Sequence, residues 1–226
     1  MLHHASIYGK LNFTMKNNFL DEILQSEQKN AEFLSGHEKQ AWDFELQRLI
    51  EKSFKGVKCV REKNVLLGSA AQDDVYARSS QAIMNDLQKR EERKDWSKIP
   101  PALLLACEEG ICHMGAEALR FILPAYMILS LKFNIQDHRV QLWLYSISGI
   151  YLRASEKAIA YYSQRFEFFT ENQKQAVQMW FSKQRKIQQE DCSFSEKNVP
   201  FLPWEYADFL ANGNGSSPFE FLKINP

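Results

Sequence analysis

The sequence predicts an all-α fold, a single-domain irregular helical bundle of roughly seven to nine helices. Apolar residues recur at three- and four-residue steps in several separate stretches, the spacing that places side chains on one face of a helix. Hydrophobic residues make up 45% and aromatic residues 13% of the 226 residues. This composition differs from that of disordered chains and supplies enough apolar surface for a core.

The chain is predicted to consist of a flexible leader over residues 1–14, a helical domain over residues 15–211 and a flexible tail over residues 212–226. The leader shows no helical periodicity. The tail begins with Asn-Gly-Asn-Gly-Ser-Ser-Pro, a composition typical of flexible segments. The termini are therefore expected to lie outside the packed domain.

The first two helices are predicted from their apolar faces and from the glycines that follow them. The first is a short amphipathic helix that is expected to end at Gly36. Its apolar positions are Phe19, Leu20, Ile23, Leu24, Ala31 and Phe33. The second is expected to run over residues 37–55 and to end before Gly56. Both helices are predicted to contribute to packing.

Two later helices are predicted from capping boxes. In this motif a hydroxyl accepts from a backbone amide three residues on, and a Glu or Gln there bonds back. Ser69 with Gln72 is expected to open a long third helix. Thr170 with Gln173 has the same spacing and is expected to open a helix that buries Ala176.

The central apolar stretch is interrupted by Pro124. Because proline disfavours helical backbone in the residue before it, Leu123 is expected to be extended or to end a short helix, with a new helix from Pro124 to Lys132. The longest apolar run, Ile122–Leu131, is too short to cross a bilayer. No membrane contact is therefore expected.

Charge and cysteine content restrict the class of protein. Lys and Arg number 28, as do Asp and Glu, so no net field attracts a polyanion and nucleic-acid binding is disfavoured. The four cysteines form neither a CxxC pair nor a disulfide framework. A reduced, cytoplasmic protein is expected.

Three elements of the sequence occur together in a family of unknown function. They are Asp95-Trp96, the stretch from Arg120 to Met127, and the helix start Thr170-x-x-Gln173-x-x-Ala176. In this combination the chain resembles a bacterial family with no assigned activity, over residues 46–186. The resemblance implies a bacterial cytosolic origin and packing of the three elements against one another.

One short stretch contains residue types that bind metals. Cys107, Glu108, Glu109, Cys112 and His113 lie within seven residues. Zinc sites of this kind need a second ligand pair elsewhere, and the sequence has none. We therefore predict no metal and no cofactor, and we interpret these residues as belonging to helix ends.

Four residues are candidates for binding a small ligand: Arg120, Tyr126, Asp95 and Trp96. A buried arginine needs a carboxylate or carbonyl partner, and Asp95 or Glu117 would serve in a structural bridge. The alternative is an arginine that, beside the Tyr126 hydroxyl, binds a carboxylate or phosphate. The sequence leaves both interpretations open.

Tyr161 and Tyr162 are candidates for binding a partner, because adjacent residues on a helix cannot both face the core.

No GxSxG, HExxH or glycine-rich phosphate motif is present, which favours a protein without catalysis but does not decide the question. The preferred hypothesis is a cytosolic protein-binding module, either an immunity-type protein or an accessory of a bacterial conflict system. The alternatives are a hydrolase or transferase with a site around Arg120, Tyr126 and Asp95, and a secreted bacterial effector.

Overall fold

The structure is a computed structural model that describes residues 4–72, 74, 77, 80–135, 137–148, 155–190 and 200–212. The prediction of an all-α fold is confirmed: these residues form helices, with an isolated bridge between Glu38 and Phe133, and no strand. None of these helices combines the length and hydropathy needed to cross a bilayer. The helices are α1 (His4–Ser35), α2 (Phe44–Ser53), α3 (Leu67–Ala70), α4 (Gln81–Arg90), α5 (Pro101–Ala106), α6 (Ala116–Lys132), α7 (Asp137–Ser148), α8 (Glu156–Arg165), α9 (Glu171–Glu190) and α10 (Pro203–Asn212), with 3-10 helices at Trp96–Lys98 and Glu108–His113.

The chain divides into two compact units. Unit 1 contains Met1–Ala41 and Gly56–Asn134, and unit 2 contains Trp42–Lys55 and Ile135–Pro226. Helix α1 begins at His4, within the segment that the sequence predicts as a leader. Residues 213–226 of the predicted tail, and Cys192, lie outside the described residues.

Helix α6 is the centre of unit 1. Twelve of its seventeen residues are buried, which explains why it reads as an apolar run in the sequence. The expected break at Pro124 is wrong, because the helix runs without interruption from Ala116 to Lys132. Burial of the surrounding side chains offsets the hydrogen bond that proline cannot donate, so packing overrides the local preference at Leu123.

Helix α5 packs against the second half of α1 in unit 1. Pro101 occupies its first position, where the missing N–H would be unpaired in any residue. The Asn30 side-chain amide donates to the Ala102 carbonyl at 3.4 Å, which fixes the start of α5 on α1.

The predicted capping box at Ser69 is wrong. Ser69 lies inside the short helix α3, and Gln72 donates its side-chain amide to the Gly68 carbonyl at 3.3 Å instead of bonding back to an amide. Helix α4 begins at Gln81, where the Ser80 hydroxyl accepts from an amide of the first turn.

In unit 2, α2 packs against α9. The predicted capping box at the start of α9 is confirmed: Thr170 N–H donates to Gln173 Oε1 at 3.1 Å, and Gln173 N–H donates to Thr170 Oγ1 at 3.4 Å. Gln173 also donates to the Ser53 carbonyl at 3.0 Å. Helix α2 is shorter than predicted because Asp43 caps it, accepting from the Leu46 amide at 2.9 Å.

A buried charged pair joins α9 to α10. Arg185 donates to both carboxylate oxygens of Glu205 at 2.9 and 3.0 Å, and both side chains are at most 6% exposed. Glu205 also accepts from the Leu202 amide at 2.8 Å and from the Gln178 side chain. The pair is therefore surrounded by hydrogen bonds, as a buried ion pair requires.

Candidate functional site

Tyr126 lies on α6 and is completely buried. Its hydroxyl lies 3.0 Å from the Leu104 carbonyl and 3.2 Å from the Cys107 carbonyl, and its proton is directed to these two acceptors at the end of α5. Burial raises the pKa of the phenol well above its usual value. The two carbonyls also accept from the backbone amides of Cys107 and Gly110, so the Tyr126 hydroxyl adds a bond that joins α6 to the end of α5.

Asp95 and Trp96 belong to the 3-10 helix that packs against α6. Asp95 is its N-cap, accepting from the amide and the hydroxyl of Ser97 at 3.2 and 2.7 Å. The hydrogen bond from the Ser97 hydroxyl is the main cause that lowers the pKa of Asp95. Trp96 is buried, and Arg120 on α6 is half-buried. The structure thus places these residues on two packed elements, and the role of Arg120 in binding a ligand stays a prediction.

Two cysteines of unit 1, Cys59 and Cys107, have buried thiols. Burial raises the pKa of the Cys107 thiol to about 12, and that of the Cys59 thiol also to about 12. A thiol with such a pKa is protonated at neutral pH and is a poor nucleophile and ligand. Within the described part of the chain, no group of three His, Cys, Asp or Glu side chains is arranged to hold a metal.

Tyr161 and Tyr162 lie on α8 in unit 2. The Tyr161 side chain is 51% exposed and its ring meets that of Tyr162 edge-on, with centroids 5.1 Å apart. Tyr162 is half-buried, and the Arg165 guanidinium lies 5.8 Å from its ring centroid. Tyr161 is therefore available to a partner, and its use by one stays a prediction.

Carboxylates hold an irregular segment of unit 1, residues 57–66, by accepting hydrogen bonds from its backbone amides. Glu117 at the start of α6 accepts from the amides of Val60, Arg61 and Glu62 at 3.0, 2.8 and 3.0 Å. Glu62 in return accepts from the Glu117 amide at 2.7 Å. Burial by itself raises the pKa of Glu117. The hydrogen bonds from the three backbone amides together lower the pKa by more than burial raises it, so the net shift is downward.

A second carboxylate, that of Glu91, fixes the other end of this segment. It accepts from the Gly68 amide at 2.7 Å, from the Val65 amide at 3.1 Å and from the Arg93 guanidinium at 2.6 Å. The side chain is fully buried, and burial raises its pKa despite these donors. Its contacts are internal, so Glu91 acts in the fold of unit 1.

An open groove runs along α1 in unit 1 and has a volume of about 650 Å³. One wall is the second half of α1 with Glu38, and the other is the start of α5 with Phe133. Its lining is mainly apolar, and the acidic side chains of Glu27 and Glu38 contribute to it. The lining residues are Leu24, Glu27, Gln28, Ala31, Leu34, Ser35, Glu38, Pro100, Pro101, Ala102 and Phe133.

At the groove, part of the predicted apolar face of α1 is uncovered. Of its predicted positions, Ile23 is buried, but Leu24 is 52% exposed and Ala31 is exposed as well. Among the residues of α1 whose side chains the structure describes, Asn30 and Leu34 are buried in addition to Ile23. The helical spacing predicts an apolar face, but how much of it is covered depends on α5, whose position no local pattern gives.

Comparison with known families places the chain. A model of a family of unknown function, DUF6714, matches residues 43–199. The chain belongs to this family. Searches of curated proteins and of solved structures each found no significant match. The expectation of a family of unknown function is thus confirmed, while its bacterial origin and motif details stay predictions.

The DUF6714 match begins after α1, so the α1 wall of the groove precedes it, whereas the wall at residues 100–102 lies inside it.

Proposed function

We propose that this protein is a non-catalytic protein-binding module whose groove beside α1 receives an apolar segment of a partner protein. The observation that carries the proposal is Leu24, a large apolar side chain that is 52% exposed on the wall of an open, mainly apolar groove of about 650 Å³. Contiguous exposed apolar surface in a folded protein marks a site of interaction. A partner that covers Leu24 would remove this surface from water.

The shape of the groove favours a macromolecular partner over a small substrate. Small-molecule sites enclose most of the ligand and aim a few convergent polar groups at it. This groove is open, and its polar lining consists of Glu27, Gln28, Ser35 and Glu38 along one wall. The alternative of a hydrolase or transferase has less support, because the Tyr126 hydroxyl is directed to two backbone carbonyls.

We also propose the finer role that the sequence favours, a cytosolic immunity-type or accessory protein of a bacterial conflict system. Such proteins act by surface complementarity, the property that an open apolar groove supplies. The alternative is a secreted bacterial effector with the same binding role. Tyr161, exposed on α8, is a second candidate surface for a partner.

The test uses the full chain as bait for a phage-displayed library of short peptides. Peptides recovered on the wild-type protein are synthesised and their Kd values measured by calorimetry on three proteins: wild type, Leu24→Arg and Gln25→Arg. Gln25 is an exposed neighbour on α1 that does not line the groove, so its variant adds the same charge elsewhere. Tyr161→Ala is measured alongside to examine the second surface.

We expect apolar peptides that bind the wild type and the Gln25→Arg variant equally and bind Leu24→Arg at least about tenfold more weakly, because burying one leucine contributes about 1.5–3 kcal/mol. Unchanged circular dichroism of the variants excludes misfolding. Peptide binding that is unaffected by Leu24→Arg would contradict the groove as the binding site. A loss of binding in Tyr161→Ala alone would place the binding site on α8 instead. If no selected peptide binds in solution, the proposed function fails.

A further inference from the structure

We infer that the occupant of the groove is an amphipathic helix of a partner protein, about three turns long, with basic side chains at both ends. This inference rests on the proposed function and specifies the partner's chemistry. It follows from the backbone of the groove walls, from the length of the lining and from the position of its charges.

The walls favour a helical occupant because they offer little to an extended chain. Both main walls, α1 and α5, are helices, and the backbone groups inside a helix are bonded internally. At the start of α5, Pro100 and Pro101 have no N–H to donate, and the Ala102 carbonyl accepts from Asn30. An extended peptide in an apolar groove would have to leave its own N–H and C=O groups without protein partners, which costs free energy. A helix satisfies these groups itself and presents only side chains.

The length of the lining sets the length of the occupant. The lining positions on α1 extend from Leu24 to Ser35, at three- and four-residue steps along one face. Eleven residues of helix rise about 16 Å. A partner helix of about three turns lying along α1 would match this length, with apolar side chains at the same three- and four-residue spacing.

The charges of the lining set the charge of the occupant. Glu27 and Glu38 lie near opposite ends of the lined stretch, and none of the eleven lining residues is basic. An acidic partner or an anionic membrane would be repelled by this arrangement. Glu27 lies on α1, whereas Glu38 lies three residues beyond its end, in the bridge with Phe133. Lysine or arginine near each end of a partner helix of about three turns would place one cation toward each glutamate.

The test uses three synthetic peptides with the same apolar positions, helical by design, that differ at two end positions eleven residues apart: both Lys, both Gln or both Glu. Their Kd values are measured by fluorescence anisotropy on the wild-type full chain and on the Glu27→Lys/Glu38→Lys variant. The matched control variant is Glu22→Lys/Glu32→Lys, which makes the same charge change at exposed positions of α1 outside the lining. A fourth peptide carries a central proline that breaks the helix.

On the wild type we expect the Lys peptide to bind about threefold to tenfold more tightly than the Gln peptide and the Glu peptide to bind most weakly, since exposed ion pairs are individually weak. Glu27→Lys/Glu38→Lys should reverse this order, the control variant should keep it, and the proline peptide should bind at least tenfold more weakly.

Results of two kinds in which the designed peptides bind overturn the inference while the proposed function stands. One is binding of all three helical peptides without dependence on their end charges, or a reversal of the order in the control variant as well. The other is equal binding of the proline peptide. Failure of every designed peptide on a protein that binds selected peptides through Leu24 also overturns the helix but not the groove. Failure of both kinds of peptide overturns the proposed function itself.

Discussion

Two glutamates, Glu91 and Glu117, accept hydrogen bonds from backbone amides that lie far from them in the chain. Glu91 bonds the amides of Val65 and Gly68, and Glu117 bonds three consecutive amides from residue 60 to residue 62. Bonds to a charged acceptor are about twice as strong as neutral ones. Each side chain therefore supplies an irregular segment with the hydrogen-bond acceptors that backbone carbonyls supply in a helix.

Replacing Glu91 with alanine should destabilise unit 1 by about 3–5 kcal/mol, since it leaves the Arg93 guanidinium and two buried amides without this acceptor. The control is Asp86→Ala, which breaks the exposed pair with Arg90 and should cost at most about 0.5 kcal/mol. Urea-induced unfolding followed by tryptophan fluorescence measures both. Equal effects of the two substitutions would show that the buried bonds of Glu91 are not stabilising.

The roles of these glutamates could not be predicted from the sequence, for a physical reason. Their partners are backbone N–H groups, which almost every residue possesses, so no side-chain pattern marks the pairing. Tyr126 is a similar case: its carbonyl partners at Leu104 and Cys107 are set by the end of α5. A buried polar side chain predicts that some partner exists, but it does not identify the partner.

At the scale of elements, two features that depend on near neighbours were predicted correctly, whereas the capping box at Ser69 was not. The Thr170 and Gln173 bonds, and the end of α2 before Gly56, where φ is +75°, involve residues within one turn. Pro124 is different, because its local preference is opposed by the burial of most of α6. The local signal at Pro124 therefore gave the wrong helix boundary, because it lies in a helix whose residues are mostly buried.

The irregular segment over residues 57–66 should depend on Glu117. Glu117→Gln removes the charge that accepts from residues 60–62, and loss of hydrogen bonds to a charged group costs about 1.5–3 kcal/mol. Amide exchange of this segment, measured by mass spectrometry, should therefore become about tenfold faster or more. Glu109→Gln, at an exposed position of the same unit, is the control and should leave the exchange unchanged.

The lowered pKa of Glu117 also predicts how the stability of the protein changes with pH. Because the pKa of Glu117 is lower in the folded than in the unfolded chain, the unfolded chain binds the proton first as pH falls. The stabilisation is present above the usual carboxyl pKa and is lost as pH decreases through the folded-state value. Between about pH 6 and about pH 3.5 the wild type should therefore lose more stability to urea than Glu117→Gln. Parallel losses would contradict this role.

At the scale of the whole molecule, neither compact unit is one continuous stretch of chain. The chain passes between units after Ala41, after Lys55 and after Asn134, and α2 belongs to unit 2 although unit 1 flanks it in the sequence. The match to DUF6714 covers residues 43–199, so it includes α2 and α9 but neither α1 nor α10. The groove proposed for binding is consequently a property of this chain and does not extend by itself to the family.

This discontinuity predicts that residues 135–226 do not fold alone. Without α2, Gln173 and Lys183 of α9 lose the Ser53 carbonyl at 3.0 Å and the Asp43 carboxylate at 2.8 Å, and the apolar face that α2 covers is open to water. A fragment of residues 135–226 should show no cooperative thermal transition by circular dichroism. The same fragment with residues 42–55 joined to its start through a Gly/Ser linker should show one. An identical cooperative transition in both fragments would mean that α2 is dispensable and that α7 to α10 form a core by themselves.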